Sequence, residues 1–206
     1  MTKRLKAKYH ILKRFKHKFK NLWNDNKAKS LRSLRYFKKG KKDSFYGRLI
    51  DTKQVFKRFY LNVSENCFKN ALFNSVRCLS RTKDKLIKNF EIRLDCVLYR
   101  SNLFPSIHKA RQFISHGFIF VNNKKVTFCN AKLNNSDLVI ISRKLNIFTN
   151  LCQKECLETF LTNRVRGINL EIDYRFLRLI FVFDLVSEKV HKPIKIQTNL
   201  ITRFYR

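Results

Sequence analysis

Glycine and proline are scarce in this 206-residue chain, with four of the first and two of the second. That scarcity argues against a glycine-rich cofactor loop, in which the backbone must approach a phosphate closely. Acidic residues are few as well, 14 against 46 Lys and Arg, and none falls into a motif-like pair. A carboxylate-based active site is therefore not expected; Glu171 and Asp173 read as the solvent face of a strand. No long apolar run is present. The most apolar stretch, residues 176–186, carries Arg178 and Asp184, whereas a membrane-spanning helix needs about 20 apolar residues. Basic residues near the N-terminus are not followed by the apolar segment of a secretory signal. Six cysteines (Cys67, Cys78, Cys96, Cys129, Cys152 and Cys156) stand at irregular intervals, which predicts no disulfide framework and a reducing compartment. Cys152 and Cys156 are spaced like two zinc ligands, but no second close Cys/His pair completes a site. Buried free thiols are expected instead, with no metal and no cofactor.

What the chain has in excess is positive charge, a formal +32 at pH 7. A surplus of this size repels itself unless a polyanion neutralises it, which leaves nucleic acid and an anionic membrane surface as candidates. The chain is not a disordered polycation, because 44% hydrophobic and 14% aromatic residues supply a core. Twenty Phe, abundant Lys, Asn and Ile, and few Gly, Pro and Ala match A/T-rich codons, as in many organellar genomes.

Residues 1–42 hold 17 basic residues and one acid, half of the net surplus, with aromatics such as Tyr9, Phe15 and Trp23 interleaved. Such an arm can neutralise phosphates and stack on exposed bases; a disordered arm, a lipid-bound helix and a targeting presequence are its other readings. Residues 43–91 show helical periodicity: Leu49, Val55, Phe56, Phe59 and Tyr60, then Phe68, Ala71, Leu72, Ser75, Val76 and Leu79. Residues 92–142 read as a compact unit. A first short helix runs from about Ile92 to Arg100. A second, Ile107 to Ser115, is capped by Ser106 and stopped by Gly117. A hairpin follows, Phe118 to Val121 and Lys125 to Phe128 about the turn Asn122-Asn123, and then a strand over 137–142. Residues 150–165 look helical and 169–184 look like a strand pair.

In the second helix Ile107, Ala110, Phe113 and Ile114 form a buried stripe. His108, Lys109, Gln112, Ser115 and His116 take the opposite side, with Arg111 at the margin. Arg93 and Arg100, seven residues apart, are expected on one face of the first helix, and Arg111 of the second helix is expected to join them on the binding face. A face of this kind suits phosphate and 2′-hydroxyl contacts on folded RNA.

The run RLDCVLYRSNLFPSIHKARQFISHGFIFVNNKKV resembles the RNA-binding domain of the small-subunit ribosomal protein S-four family. The shared anchors are Arg93-Leu94-Asp95, Tyr99-Arg100, Ser106, Ala110-Arg111-Gln112, Ser115-His116 and Val121-Asn122. The segment before it is similar through Tyr46-Gly47, Lys53-Gln54, Tyr60 and Phe68. The C-terminal strands and the KFKNLW run at Trp23 resemble organellar members. Ile107 stands where many members have Arg, and Asn123 replaces the usual turn glycine. No cysteine cluster in the arm matches the zinc site of some bacterial members.

The resemblance implies an α+β fold: a helical body (43–91), an inserted RNA-binding domain (92–142) of two short helices on a small antiparallel sheet, and a C-terminal helix and strands (143–206) packing back on the body. It implies RNA contacts from Arg93, Tyr99, Arg100, Ser106, His108, Lys109, Arg111, Gln112, His116, Asn122, Lys124 and Lys125, and from Tyr46, Lys53, Lys57 and Arg58 in the body. The implied partners are small-subunit rRNA, adjoining ribosomal proteins and mRNA near its path into the subunit. The role is that of a non-catalytic component of the mitochondrial ribosome, neither membrane-bound nor a homo-oligomer, active in subunit assembly and decoding accuracy; the codon preference favours synthesis inside the organelle over import. The weighed alternatives are a free RNA-binding factor of ribosome rescue or quality control, an enzyme carrying the same domain, and a membrane-surface protein. Bacterial and chloroplast origins are the alternatives to the mitochondrion. Deleting residues 1–42 is expected to weaken RNA binding while the remainder still unfolds cooperatively in urea; loss of that cooperativity would make the arm part of the core.

Overall fold

A computed structural model describes residues 44–60, 63–77, 82–104, 106–142, 170–182 and 197–205. The chain divides into two compact units, residues 1–63 with 192–206, and residues 64–191. Among the described residues there are six helices and a five-stranded antiparallel sheet, the α+β class expected. The basic arm, the expected helix at 150–165 and the Cys152/Cys156 pair lie outside the described residues.

In the first unit, helix α1 (Phe45–Phe59) begins where the Ser44 hydroxyl accepts a hydrogen bond from the Gly47 N–H at 3.1 Å. This satisfies one of the amide groups that a helix start leaves without an intrahelical partner. Leu49, Val55, Phe56, Phe59 and Tyr60 are buried, as their helical spacing predicts. The C-terminal helix, which we call α6 (Thr198–Phe204), packs on α1. Aromatic contacts fasten the two helices. Tyr46 stacks on Phe204 at 6.1 Å, and the Lys53 ammonium lies 3.9 Å from the centre of the same ring.

The second unit starts with α2 (Glu65–Val76), whose N-cap Ser64 accepts from the Cys67 N–H. Helix α3 (Thr82–Glu91) packs against it. Phe68 stacks on Phe90 at 5.9 Å, and Asn89 donates to the buried Ser75 hydroxyl. The next helix, α4, spans Leu94–Arg100 rather than starting at Ile92. The backbone of Ile92 to Leu94 pairs instead with the segment near Lys132: Leu94 N–H donates to Ala131 and Leu133 N–H to Ile92.

Helix α5 (Ile107–Ser115) carries the expected caps. The Ser106 hydroxyl accepts from the Lys109 N–H at 3.2 Å, and Ile107, Ala110, Phe113 and Ile114 are buried. At its end Gly117 adopts φ +74°. Gly117 N–H bonds to Ile114 and Phe118 N–H to Phe113, while the rings of Phe113 and Phe118 meet at 5.8 Å. Those two bonds and the apolar contact define a Schellman stop, which requires the left-handed conformation glycine adopts without a Cβ clash.

The sheet has the order β2-β1-β3-β5-β4, with β1 Ile119–Val121, β2 Lys124–Lys125, β3 Leu138–Ile141, β4 Leu170–Asp173 and β5 Arg178–Phe181. The β1–β2 turn has positive φ at both Asn122 (48°) and Asn123 (66°), the two-residue hairpin geometry that follows strand twist. Asparagine tolerates it, so the hairpin closes without the usual glycine. The β4–β5 pair, expected from alternation, adds to the same sheet through β5 against β3, with Val139 opposite Leu179. Ile119, Val139, Ile141, Leu179 and Phe181 face Leu94, Val97, Leu98, Ala110, Phe113 and Ile114 in one core. Tyr174 fastens the β4–β5 turn to the end of α4 by donating its hydroxyl proton to the Ser101 carbonyl. Glu171 and Asp173 are exposed. Two lysines occupy the edge strand β2, a device that discourages edge-to-edge pairing with another sheet.

Replacing Gly117 with Ala forces a Cβ into a left-handed conformation and against the Lys125 side chain. Stability should fall by about 1–2 kcal/mol, seen as a lower urea midpoint with unchanged slope. An unchanged midpoint would mean that the α5 stop relaxes without loss.

Candidate nucleic-acid interface

Asp95, with no exposed surface, lies at the start of α4. A buried carboxylate is costly unless charge and hydrogen bonds surround it. Here both oxygens are occupied. Arg93 donates Nε to Oδ1 at 3.1 Å and Nη2 to Oδ2 at 2.9 Å. Arg111 of α5 donates Nε to Oδ2 at 2.7 Å, and the Cys96 backbone N–H donates to Oδ1 at 2.9 Å. The second nitrogen of the fork, Arg93 Nη2, also reaches the Asn130 side-chain oxygen at 2.7 Å. One acid thus ties α4, α5 and the 128–133 loop together.

A second buried acid, Glu91, holds Arg100 in a two-point grip, with Nε and Nη2 at 3.1 and 2.9 Å from its carboxylate oxygens. These pairings correct the expected placement of the arginines. Arg93 precedes α4 instead of lying on it, is only 5% exposed, and points inward to Asp95. Arg100 is largely covered against Glu91. Of the three, Arg111 keeps the most surface, with its side chain 25% exposed. The seven-residue spacing does not set a common face, because Arg93 is outside the helix and both side chains follow buried acids.

Burial disfavours charge on Arg93, but the hydrogen bond and charge of Asp95 outweigh it and hold the guanidinium above its ordinary pKa. Burial also pushes the Cys96 thiol well up, with Asp95 and Glu91 adding to the effect, and raises the half-buried Cys129. Both thiols are protonated at neutral pH and so are poor nucleophiles. Among the described residues no cluster of three His, Cys, Asp or Glu is placed to hold a metal, and no helix is long and apolar enough to cross a membrane.

The outward side of α5 presents His108, Gln112, Ser115 and His116, all exposed, with Lys109 half-buried beside them. Lys124 and Lys125 are exposed on β2. The Lys125 ammonium lies across Gly117, where it brings positive charge to the C-terminal end of α5, the end that the helix dipole makes negative. Hairpin and helix therefore form one basic, hydrogen-bonding surface. Other expected contacts have structural work: Ser106 caps α5, and Asn122 accepts from the Leu138 N–H and donates to Asp137. Tyr99 is half-buried. Tyr46, Lys53 and Lys57 belong to the first unit, where Lys53 lies over Phe204; the Arg58 side chain is outside the described ones. Sequence reasoning missed Phe128, 75% exposed, and Lys132, exposed further along the same loop. The available signal was the stretch 118–136, which contains Lys124, Lys125 and Lys132 and no acid.

Comparison with known proteins agrees with this geometry. Residues 92–128 match the S4 domain, so the second unit is of the class built around that module. Over its full length the chain is 32% identical to small ribosomal subunit protein uS4 of Paracoccus denitrificans, covering 98% of that relative. It is 31% identical to the uS4 protein of Gluconobacter oxydans and 30% identical to that of Caulobacter vibrioides, again over the whole chain and 99% of each. The chain belongs to the uS4 family of small ribosomal subunit proteins.

Replacing Asp95 with Ala leaves two arginines around a buried site without their acid. A loss of about 3–5 kcal/mol is expected in urea unfolding. A loss under about 1 kcal/mol would mean that Arg93 turns out to solvent and that the clamp is dispensable.

Proposed function

We propose that this protein is a structural component of the small ribosomal subunit that binds small-subunit rRNA directly. The observation that carries the reading is the surface made by α5 and the β1–β2 hairpin. Ammonium, imidazole and amide groups project from it, while the acids nearest to it in α3 and α4, Glu91 and Asp95, are buried and neutralised by arginine. Asp137, at the foot of the hairpin, is occupied by the Asn122 side chain and the Asn134 N–H, so phosphates would meet mainly the exposed cations, and affinity would come largely from counterion release. Amide, hydroxyl and imidazole groups on a rigid helix suit the shape-dependent reading of a folded RNA junction. The described helix and hairpin contacts would act with the basic body and arm.

Within that reading, the 92–142 region is the RNA-binding portion. The protein joins the subunit early, holds rRNA helices together near the path by which mRNA enters, and supports decoding accuracy beside adjoining ribosomal proteins. Its role is non-catalytic. The A/T-rich codon preference inferred from composition supports a mitochondrial ribosome as its location. The similarity to uS4 proteins along the whole chain favours a ribosomal component over a free factor that borrows the S4 domain alone.

The test is binding of the full chain to small-subunit rRNA across a salt series. Replacing Lys124 and Lys125 together with Ala should reduce the log–log salt slope by roughly 1.4–1.8 if each contacts one phosphate. An unchanged slope would remove β2 from the interface. Location is tested by sucrose-gradient fractionation of mitochondrial lysate: co-migration with the small subunit in high salt is expected, and its absence there would overturn the mitochondrial assignment.

A further inference from the structure

Phe128 is the most exposed of the large hydrophobic side chains among the described residues, at 75%. A single exposed apolar residue is ordinary and by itself means little. Two other observations set this one apart. The first is that its backbone is fixed. The Phe128 carbonyl accepts from the Ala131 N–H at 3.2 Å, and the next residue, Cys129, directs its thiol at the Arg111 carbonyl of α5. Two residues on, Asn130 is gripped by Arg93, and residues 131–133 pair with the Ile92–Leu94 backbone. The ring is therefore carried by a loop stitched to α4 and α5.

The second observation is its chemical setting. From residue 118 to 136 the chain has Lys124, Lys125 and Lys132, no acid, and several exposed Asn and Thr side chains. Three exposed lysines and no acid in one stretch of chain are a poor seat for an apolar protein partner. They are a good one for RNA: cations neutralise the backbone while the ring offers a flat face to a base.

We propose that Phe128 is a stacking platform for an unpaired RNA base, so that the S4 region grips one extruded nucleotide as well as the phosphates around it. The proposal rests on the rRNA-binding reading and deepens it: the ligand class is a single-stranded bulge or loop nucleotide adjoining a helix. A ring carried on a fixed backbone loses less conformational freedom on binding than one on a free loop. Because every base has a π face, the contact would favour an unstacked nucleotide without choosing strongly among the four.

The experiment uses the full chain and small-subunit rRNA, with affinity measured over a salt series for wild type, Phe128→Ala, Phe128→Leu and Phe128→Tyr. Because the side chain is exposed, all four should share one urea midpoint, which separates binding from folding. Loss of the ring, by Ala or by Leu, should weaken binding about 5- to 150-fold and leave the salt slope unchanged, since no phosphate contact is lost. Tyr should bind like wild type. Wild-type affinity in Phe128→Ala would show that the ring is unused, and wild-type affinity in Phe128→Leu would show a general apolar contact with the RNA in place of stacking; either result overturns the stacking proposal while leaving rRNA binding intact. Failure of wild type itself to bind the rRNA would overturn both.

Discussion

The buried carboxylate of Asp95 is the constraint on which the second unit depends. In a chain with a surplus of +32, cations are plentiful and acids are few. An acid placed inside recruits arginines inward and decides where they end. Asp95 draws Arg93 from before α4 and Arg111 from α5, and through Arg93 it reaches Asn130. The relative setting of α4, α5 and the 128–133 loop follows from one anion that must be satisfied from several sides.

Charge is consequently sorted by type. The arginines of this region face acids: Arg93 and Arg111 on Asp95, Arg100 on Glu91. The lysines of β2 and the following loop are exposed, at Lys124, Lys125 and Lys132. The sorting has a physical basis. A planar guanidinium can grip both oxygens of a carboxylate in fixed geometry and is weakly hydrated, so it suits an interior pair. An ammonium on a flexible stem is strongly hydrated and stays in water. At a polyanion surface that mobility is no handicap, because neutralisation of phosphate demands proximity more than geometry.

Much of the fold was legible in the sequence because local rules governed it. Ser106 and Gly117 bracket α5 where capping chemistry places them, and the 107/110/113/114 stripe is buried as periodicity requires. Asn122 and Asn123 make the hairpin turn, and the alternation near residues 170–181 becomes β4 and β5. The candidate site was legible only in part. Its exposed residues on α5 were identified from the helical period alone. Arg93 was misread because a spacing of seven implies a shared face only inside one helix, and the chain leaves helical geometry at Ile92–Arg93 to pair with residues 131–133. That pairing spans about 40 residues of sequence and has no local signature. Nor could spacing reveal that Asp95 and Glu91 are interior, since either would pass as an ordinary surface acid of a helix. Phe128 was hidden for another reason: the hairpin strand expected over Lys125 to Phe128 stops at Lys125, and the ring's exposure depends on where the 128–133 loop is tied.

The same division between interior arginine and exterior lysine explains how a chain so highly charged can present a basic surface on a fixed frame. If the groups meeting a phosphate were also those holding α4 to α5, binding would compete with folding, because each arginine turned toward RNA would leave a buried carboxylate bare. The geometry avoids that conflict. Asp95 and Glu91 already have arginine partners in the protein alone, so the exposed groups on α5 and β2 can meet a polyanion without those arginines leaving the core. Substituting Lys for Arg93 would preserve the charge count yet lose the fork that grips both oxygens of Asp95. Such a change would act on the positioning of α5 and the 128–133 loop, and only through them on whatever the basic surface binds.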